Sequence, residues 1–426
     1  MSSVYNKKNF HYTHCIADPA FPSSFYYRQT EPEPYGAHMS FEDSASHIFF
    51  DQTAKHLTTN KGFRMTRANV AIREGRWYWE CKITRGILKK QGEGEPESHG
   101  HVRVGFARRE ASLDAPVGFD AYSYGIRDVA GQKVHMSRPR DFLLPGEGLR
   151  EGDVIGLEIQ LPSMRLHRKV VQGQYNPAVD LMEEETDSKP DIGNVVRDRI
   201  PIRFKQHIYF EKIDYHTTKE LEDLMNPSPM SSTGGGGASA PPNPHHPLAP
   251  LRTLPNSHIK VYKNGVLMGA PWTDLLAFLP PASRMVQQPA GRDSLDDGSL
   301  GYYPAVSVFR GGAVEVNFGP EFWYPPPGFI GHKAQGEDVE MIDANGSEPR
   351  VQLQLGKASH VLRPVSDRYD EQIVEDIVYD VIDEVDFWIQ DSMRVRNRSG
   401  KDDKVSEAPG MAPGVREEIK ELVQDD

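Results

Sequence analysis

Two arginines are placed where they could grip an acid. Arg103 lies between Val102 and Val104, and Arg127 follows the run Tyr122-Ser123-Tyr124. If residues 102–107 form a strand, Val102, Val104 and Phe106 share one face and Arg103 takes the other, because successive side chains alternate. A guanidinium is planar and can hold a carboxylate with two parallel hydrogen bonds, which lysine cannot do. Arg108, Arg109, Arg138 and Arg140 add positive charge nearby in sequence. They suit the steering of an acidic ligand, although a lone strand arginine is ordinarily just solvated. Chemistry of the chain's own finds less support. Gly-x-Ser-x-Gly and His-Glu-x-x-His are absent, His245-His246 sits among prolines, and Asp296-Asp297 falls in an expected solvated turn. A glycan-cleaving sandwich would need paired acids at alternating strand positions in an aromatic cleft, and none occurs. The four glycines at 234–237 lack the flanking strand, helix and Gly-Lys-Ser/Thr of a phosphate loop and read as linker. No metal or cofactor is expected.

The elements that must position the arginines are strands. Residues 75–83 place Trp77, Trp79, Cys81 and Ile83 on one face, with Tyr78, Glu80 and Lys82 on the other, and 154–161 repeat the pattern with Ile155, Leu157, Ile159 and Leu161. Residues 200–210 restore apolar alternation, and 261–269 read as a hairpin with Asn264-Gly265 in a type I′ turn. A sheet with one apolar face must bury it against a second sheet, so the fold class is an all-β antiparallel β-sandwich.

The runs Gly-Arg-Trp-Tyr-Trp-Glu-Cys (75–81), Val-Arg-Val-Gly-Phe-Ala (102–107) and Gly-Asp-Val-Ile-Gly (152–156) resemble the SPRY, or B30.2-like, domain, which binds peptides through its loops. Ala-Pro-Val-Gly-Phe-Asp-Ala-Tyr-Ser-Tyr (115–124), Tyr-Lys-Asn-Gly (262–265), Val-Asn-Phe-Gly-Pro (316–320) and Tyr-Pro-Pro (324–326) are similar to the SPRY subunit of COMPASS, the Ash-two/Bre-two family. The resemblance covers roughly residues 40 to 395, with several motifs in the family's order. It implies a non-catalytic partner of the SET-domain enzymes that methylate histone H3 lysine-4, located in the nucleus. It further implies that Arg103, Arg127 and Pro116 bind an acidic segment of the WD-propeller scaffold subunit. Phe63 and Phe119 stand where the family has tyrosines, so the rings are kept and both hydroxyls lost. Contact with a nucleosome is left open. Some family members carry an N-terminal zinc-finger and winged-helix region, which a chain with only Cys15 and Cys81 is not expected to supply.

Along the chain, the expected organisation is an irregular, partly disordered arm at 1–40, then a sandwich over 41–330 interrupted by disordered insertions at 163–198, 226–255 and 280–299. An acidic mobile segment at 331–363, an amphipathic helix at 364–398 and a disordered tail at 399–426 follow. Within the helix, Val374, Ile377, Val378, Val381, Ile382, Val385, Trp388 and Ile389 form one stripe, and Glu375, Asp376, Asp380, Asp383, Glu384 and Asp386 fill the rest. The bland outcome is a stripe packed back on the sandwich. Acid-flanked β-branched residues beyond a long polar segment instead suggest a ligand for a groove between partner helices. The resemblance implies which partner: the small dimeric helical subunit of the Dpy-thirty/Sdc-one type.

Charge and composition narrow the remaining classes. With 61 Asp and Glu against 49 Lys and Arg, the net charge of −12 does not fit a chain sheathed in nucleic acid. No run of about 18 apolar residues occurs and Met1 is followed by no apolar signal core, so a soluble intracellular protein without a membrane partner is expected. A SPRY adaptor recruiting substrate to a ubiquitin ligase is the second reading, but that class gives no reason for the acidic Ile/Val helix. A carbohydrate-active enzyme is the third.

Overall fold

The computed structural model describes residues 10–18, 27–89, 97–186, 200–213, 215–226, 240–279, 284–285, 296, 298–329, 361–399 and 420–421. Strands are numbered β1 to β22 and helices α1 to α4 along the chain. One antiparallel sheet contains β3 (Met39–Ser44), β6 (Arg64–Ala68), β8 (His101–Ala107), β9 (Ser123–Arg127), β10 (Lys133–His135), β11 (Arg138–Arg140) and β19 (Tyr303–Phe309). Its order is β11-β10-β9-β8-β19-β6-β3. The facing sheet contains β4 (Phe49–Phe50), β5 (His56–Thr58), β7 (Gly75–Arg85), β12 (Val154–Leu161), β16 (His258–Lys263), β17 (Val266–Thr273) and β20 (Ala313–Asn317), in the order β17-β16-β12-β7-β20-β5-β4.

The alternation read from the sequence explains this layering. Trp77, Trp79, Cys81 and Ile83 of β7 join Ile155, Leu157 and Ile159 of β12 in one core cluster. Val102, Val104 and Phe106 of β8 and Val306 and Val308 of β19 close that cluster from the other sheet. Trp79 has no exposed surface; it stacks on Phe318 at 5.8 Å and meets Phe106 edge-on. Both cysteines are buried free thiols, and burial pushes the Cys81 thiol well above its ordinary range. Asn264 and Gly265 have φ of 50° and 82°, the left-handed pair that a type I′ turn requires.

The second face of β7 is covered too. Tyr78 and Glu80 are fully buried, and the Glu80 carboxylate accepts the backbone N–H groups of Trp323 and Tyr324 at 2.7 and 2.9 Å. The segment that departs after β20 therefore crosses back over the sheet. β21 (Leu362–Pro364) lies parallel to β7 at Arg76 to Tyr78, beside the stretch that β20 pairs, and leads directly into α4 (Val365–Ser399).

Several expectations are corrected. The arm expected to be irregular holds β1 (Phe10–Ala17) and β2 (Tyr27–Gln29). They form a separate sheet with β13 (Ile200–Phe204), β14 (His207–Ile213) and β22 (Lys420–Glu421). Residues 200–210 are therefore a hairpin outside the sandwich, not one of its strands. The stretch 163–198, expected to lack structure, holds α1 (Met164–Gln172) and α2 (Pro177–Thr186). Ser163 caps α1 by accepting the Leu166 N–H, and Gly173 ends it at φ 75°. Its face of Met164, Leu166, Val170 and Val171 is buried, and His167 accepts from the Phe278 and Leu279 N–H groups.

Around the expected linker at 226–255, α3 (Lys219–Met225) ends just before it, while His246, Leu251 and Leu254 are buried in its second half. Asp296, expected in a solvated turn, is ion-paired with Arg73 and largely buried. A two-residue pair joins β15 (Tyr215–His216) to β18 (Arg284–Met285). Residues 187–199, 227–239, 286–295, 330–360 and 400–419 lie outside the described residues, and with them most of the expected acidic segment and tail.

Candidate docking surfaces

Register brings the two arginines together. Arg103 of β8 faces Arg127 of β9 across the ladder on one side and Ser307 of β19 on the other, so all three side chains share the sheet's outer face. Phe63, just before β6, lies tilted on Phe309 at 4.8 Å, and the Arg103 guanidinium sits 4.8 Å over the Phe63 ring. Val117 donates its N–H to the Ser307 hydroxyl at 3.1 Å, which folds the 111–121 loop over the outer face and brings Pro116 beside this row. Phe119, whose N–H donates to the Pro116 carbonyl at 3.0 Å, is 52% exposed on the same loop. Arg103, Arg127 and Phe63 are thus brought together, and Pro116 and Phe119 lie on the loop that Val117 fastens to the same face.

Among the described residues neither Arg103 nor Arg127 has a carboxylate within ion-pair distance. Arg103 is held below the usual guanidinium range, first by burial and then by the charge of Arg127, with the nearby Asp128 carboxylate opposing both. Arg127 hydrogen-bonds the Gln132 amide, while its Nε is buried without a partner. Two like charges placed opposite each other on a ladder repel, so a bound anion would relieve both the repulsion and the desolvation. The other arginines correct the expectation of a steering field. Arg108 is fully buried, paired with Glu110 and donating to the Ala277 carbonyl. Arg109 is fixed by the Tyr303 hydroxyl and Asp43. Only Arg138 and Arg140 are exposed.

The helix is built the other way round. Its root is locked to the body: Val365 has no exposed surface, and the Arg368 Nε donates to the Ala71 carbonyl at 2.9 Å. Gln372 bridges the Ala71 N–H and the Asn69 carbonyl, each at 3.1 Å. Arg363 lies 4.5 Å over the Trp77 ring and pairs with Glu371. Beyond the root, acids turn inward. Asp376 accepts from Gln29 at 3.0 Å, Glu384 accepts from Arg28 at 3.1 Å, and Asp380 between them is buried.

The apolar stripe is left outside. Val374, Ile377, Val378, Val381, Ile382, Val385, Trp388 and Ile389 are exposed by between 43% and 56%. A helix against a protein body normally buries its apolar side; this one buries its polar side. The side chains of Asp383 and Asp386 lie outside what is described. Sequence reasoning missed Ser307 and Phe309, although the burial of Val306 and Val308 implies that they face out. It also missed Arg28 and Gln29, whose roles depend on contacts 347 to 356 residues away in the chain.

Two facing antiparallel sheets with a pair of arginines on an outer face define the class as an antiparallel β-sandwich. No family model matches the chain. The COMPASS component cclA of Colletotrichum higginsianum is 68% identical over 425 residues, which cover 99% of this chain and 74% of that protein. The Set1 complex component ash2 of Schizosaccharomyces pombe is 36% identical over 420 residues, covering 99% of this chain and 51% of its own length. Among solved structures, a human SPRY domain is matched at 15% identity with a TM-score of 0.30, covering 65% of this chain and 98% of that one. The chain belongs to the family of COMPASS and Set1 complex components that includes cclA and ash2.

Proposed function

We propose that the protein is a non-catalytic scaffold subunit of a COMPASS-type histone H3 lysine-4 methyltransferase complex, acting in the nucleus. Its SPRY pocket holds an acidic segment of the WD-propeller scaffold subunit. Its terminal helix docks into the small dimeric subunit of the Dpy-thirty/Sdc-one type. The observation that carries this reading is the inverted helix, with acids tied inward and eight apolar side chains outward, the pattern of a helix made for a partner's groove. The pocket supports it independently, since Arg103 and Arg127 face each other across the ladder and, among the described residues, neither has a carboxylate within ion-pair distance.

The contribution to methylation is stabilising. By binding two partners at separate places, the subunit favours the assembled, active arrangement of a SET-domain chain without giving it a catalytic group. The test is a pull-down of the full chain against a version ending after Ile373, which keeps the packed root. Loss of the dimeric subunit with retention of the WD-propeller subunit is expected. Recovery of ubiquitin-ligase components and no methyltransferase subunit would overturn the assignment.

A further inference from the structure

The inward face of α4 meets a part of the molecule that lies outside the sandwich. Asp376, Asp380 and Glu384 recur at every fourth residue, so they form one line along the helix, spanning about 12 Å. Facing that line is β2, with Gln29 on Asp376 and Arg28 on Glu384. Arg28 is itself held by Asp18, a carboxylate with almost no exposed surface at the end of β1, and it also lies in the electrostatic field of Asp380. β2 is an edge strand of only three residues, paired to β1 at Cys15 to Ala17, and β1 in turn pairs with β14. The chain's N-terminal strands thus contact the helix past its root.

We propose that β1 and β2, through Arg28 and Gln29, form a brace that positions the distal half of α4 for its dimeric partner. The inference rests on the reading of α4 as a docking helix. A helix locked only at its root would sweep a cone, and the partner would have to halt that motion on binding. Ordering the helix beforehand removes that cost from the association. Arg28 and Gln29 act from the polar side of the helix, opposite the stripe, so they serve as positioning residues and do not touch the partner.

The experiment uses the full chain and a recombinant Dpy-thirty-type dimer as probe. Arg28→Ala with Gln29→Ala should weaken dimer binding by about 5-fold, the scale of a pair of partly exposed polar contacts. In the absence of the dimer, backbone amides of residues 376–389 should exchange several-fold faster in that variant, while acidic-peptide binding at the pocket stays the same. Arg28→Ala and Glu384→Ala should each weaken the dimer, and the double variant should be no weaker than either single one, because both remove the same ion pair.

Unchanged amide exchange would overturn the brace, and so would strictly additive losses, since those would mean that Arg28 and Glu384 act separately. Faster exchange with unaltered dimer affinity would overturn its role in docking. Failure of the docking reading itself shows elsewhere: Val381→Glu with Val385→Glu would then leave dimer binding intact.

Discussion

Around Arg103 two like charges face each other with no carboxylate in ion-pair distance among the described residues, whereas along α4 acids are tied to the body and the apolar stripe is exposed. Each surface withholds from the body the interaction that its proposed partner would supply. The backbone beneath them differs as well. Arg103 stands on a strand paired on both sides, so the platform beneath it is fixed, while the stripe stands on a helix whose described ties beyond its root run along its acidic side. The first should therefore bind by electrostatics on a rigid platform, and the second by apolar burial on an element that has to be kept in place.

The largest effect should come from placing charge in the stripe. Val381→Glu with Val385→Glu should abolish dimer binding, at least 100-fold by titration, because each carboxylate would be buried unpaired in an apolar groove. Both positions are about half exposed, so the thermal midpoint should move by less than about 2 °C. If the sandwich unfolded instead, the stripe would be core and the contrast between the two surfaces would collapse.

At the pocket, Arg103→Ala should weaken an Asp/Glu-rich peptide by about 10- to 100-fold, the range for losing hydrogen bonds to a charged group. Arg103→Lys should recover only part of that, since the planar fork is gone. Raising the salt from 0.1 to about 0.5 M should weaken the peptide and leave the dimer nearly unaffected, because only the first contact depends on unscreened charge. Equal salt sensitivity at the two surfaces would refute the division into a charged and an apolar site.

How far these surfaces were legible in the sequence follows from the range of the signals. Alternation in β7 and β8 is local, so the core face and the outward Arg103 could be read directly. The stripe from Val374 to Ile389 is also local, so its helical spacing could be read directly. The bracing strand was not legible, because β2 has three residues and draws its meaning from Asp376 and Glu384, far along the chain. β1 is equally opaque, since the longer of its two partner strands begins at His207. In α1 a helical spacing of Met164, Leu166, Val170 and Val171 was present but diluted by Arg165, Arg168 and Lys169. Arg108 misled for another reason: arginine is usually exposed, and only the fold reveals Glu110 and the Ala277 carbonyl as its buried partners.

A pH effect should separate the regions further. Glu31, just after β2, is raised to about 7 by burial, with hydrogen bonds from Asn69 and Tyr369 opposing that rise. Its ordinary value is 4.5, so the folded state holds the proton more tightly. The stability this contributes is full below pH 4.5 and is lost as pH rises through about 7. Because Tyr369 belongs to the root of α4, the loss should appear as faster amide exchange there. Glu31→Gln should remove that pH dependence and stabilise the chain by about 1 kcal/mol at pH 8, leaving acidic-peptide binding unchanged.

The smallest effect should lie at the rim of the pocket. Phe119 is 52% exposed, so Phe119→Tyr adds a hydroxyl in solvent at little cost to the fold. A hydroxyl placed there can donate to a bound carboxylate, and a single such bond, made in competition with water, is worth about 0.5 to 1.5 kcal/mol. Peptide affinity should therefore rise about 2- to 10-fold. Phe63→Tyr tests a different position, because that ring already contacts both Phe309 and the Arg103 guanidinium. Its hydroxyl should help only if the ring edge faces the ligand. A gain from Phe119→Tyr but none from Phe63→Tyr would mean that the ring at 63 serves the arginine, holding its fork in place, while the ring at 119 serves the peptide.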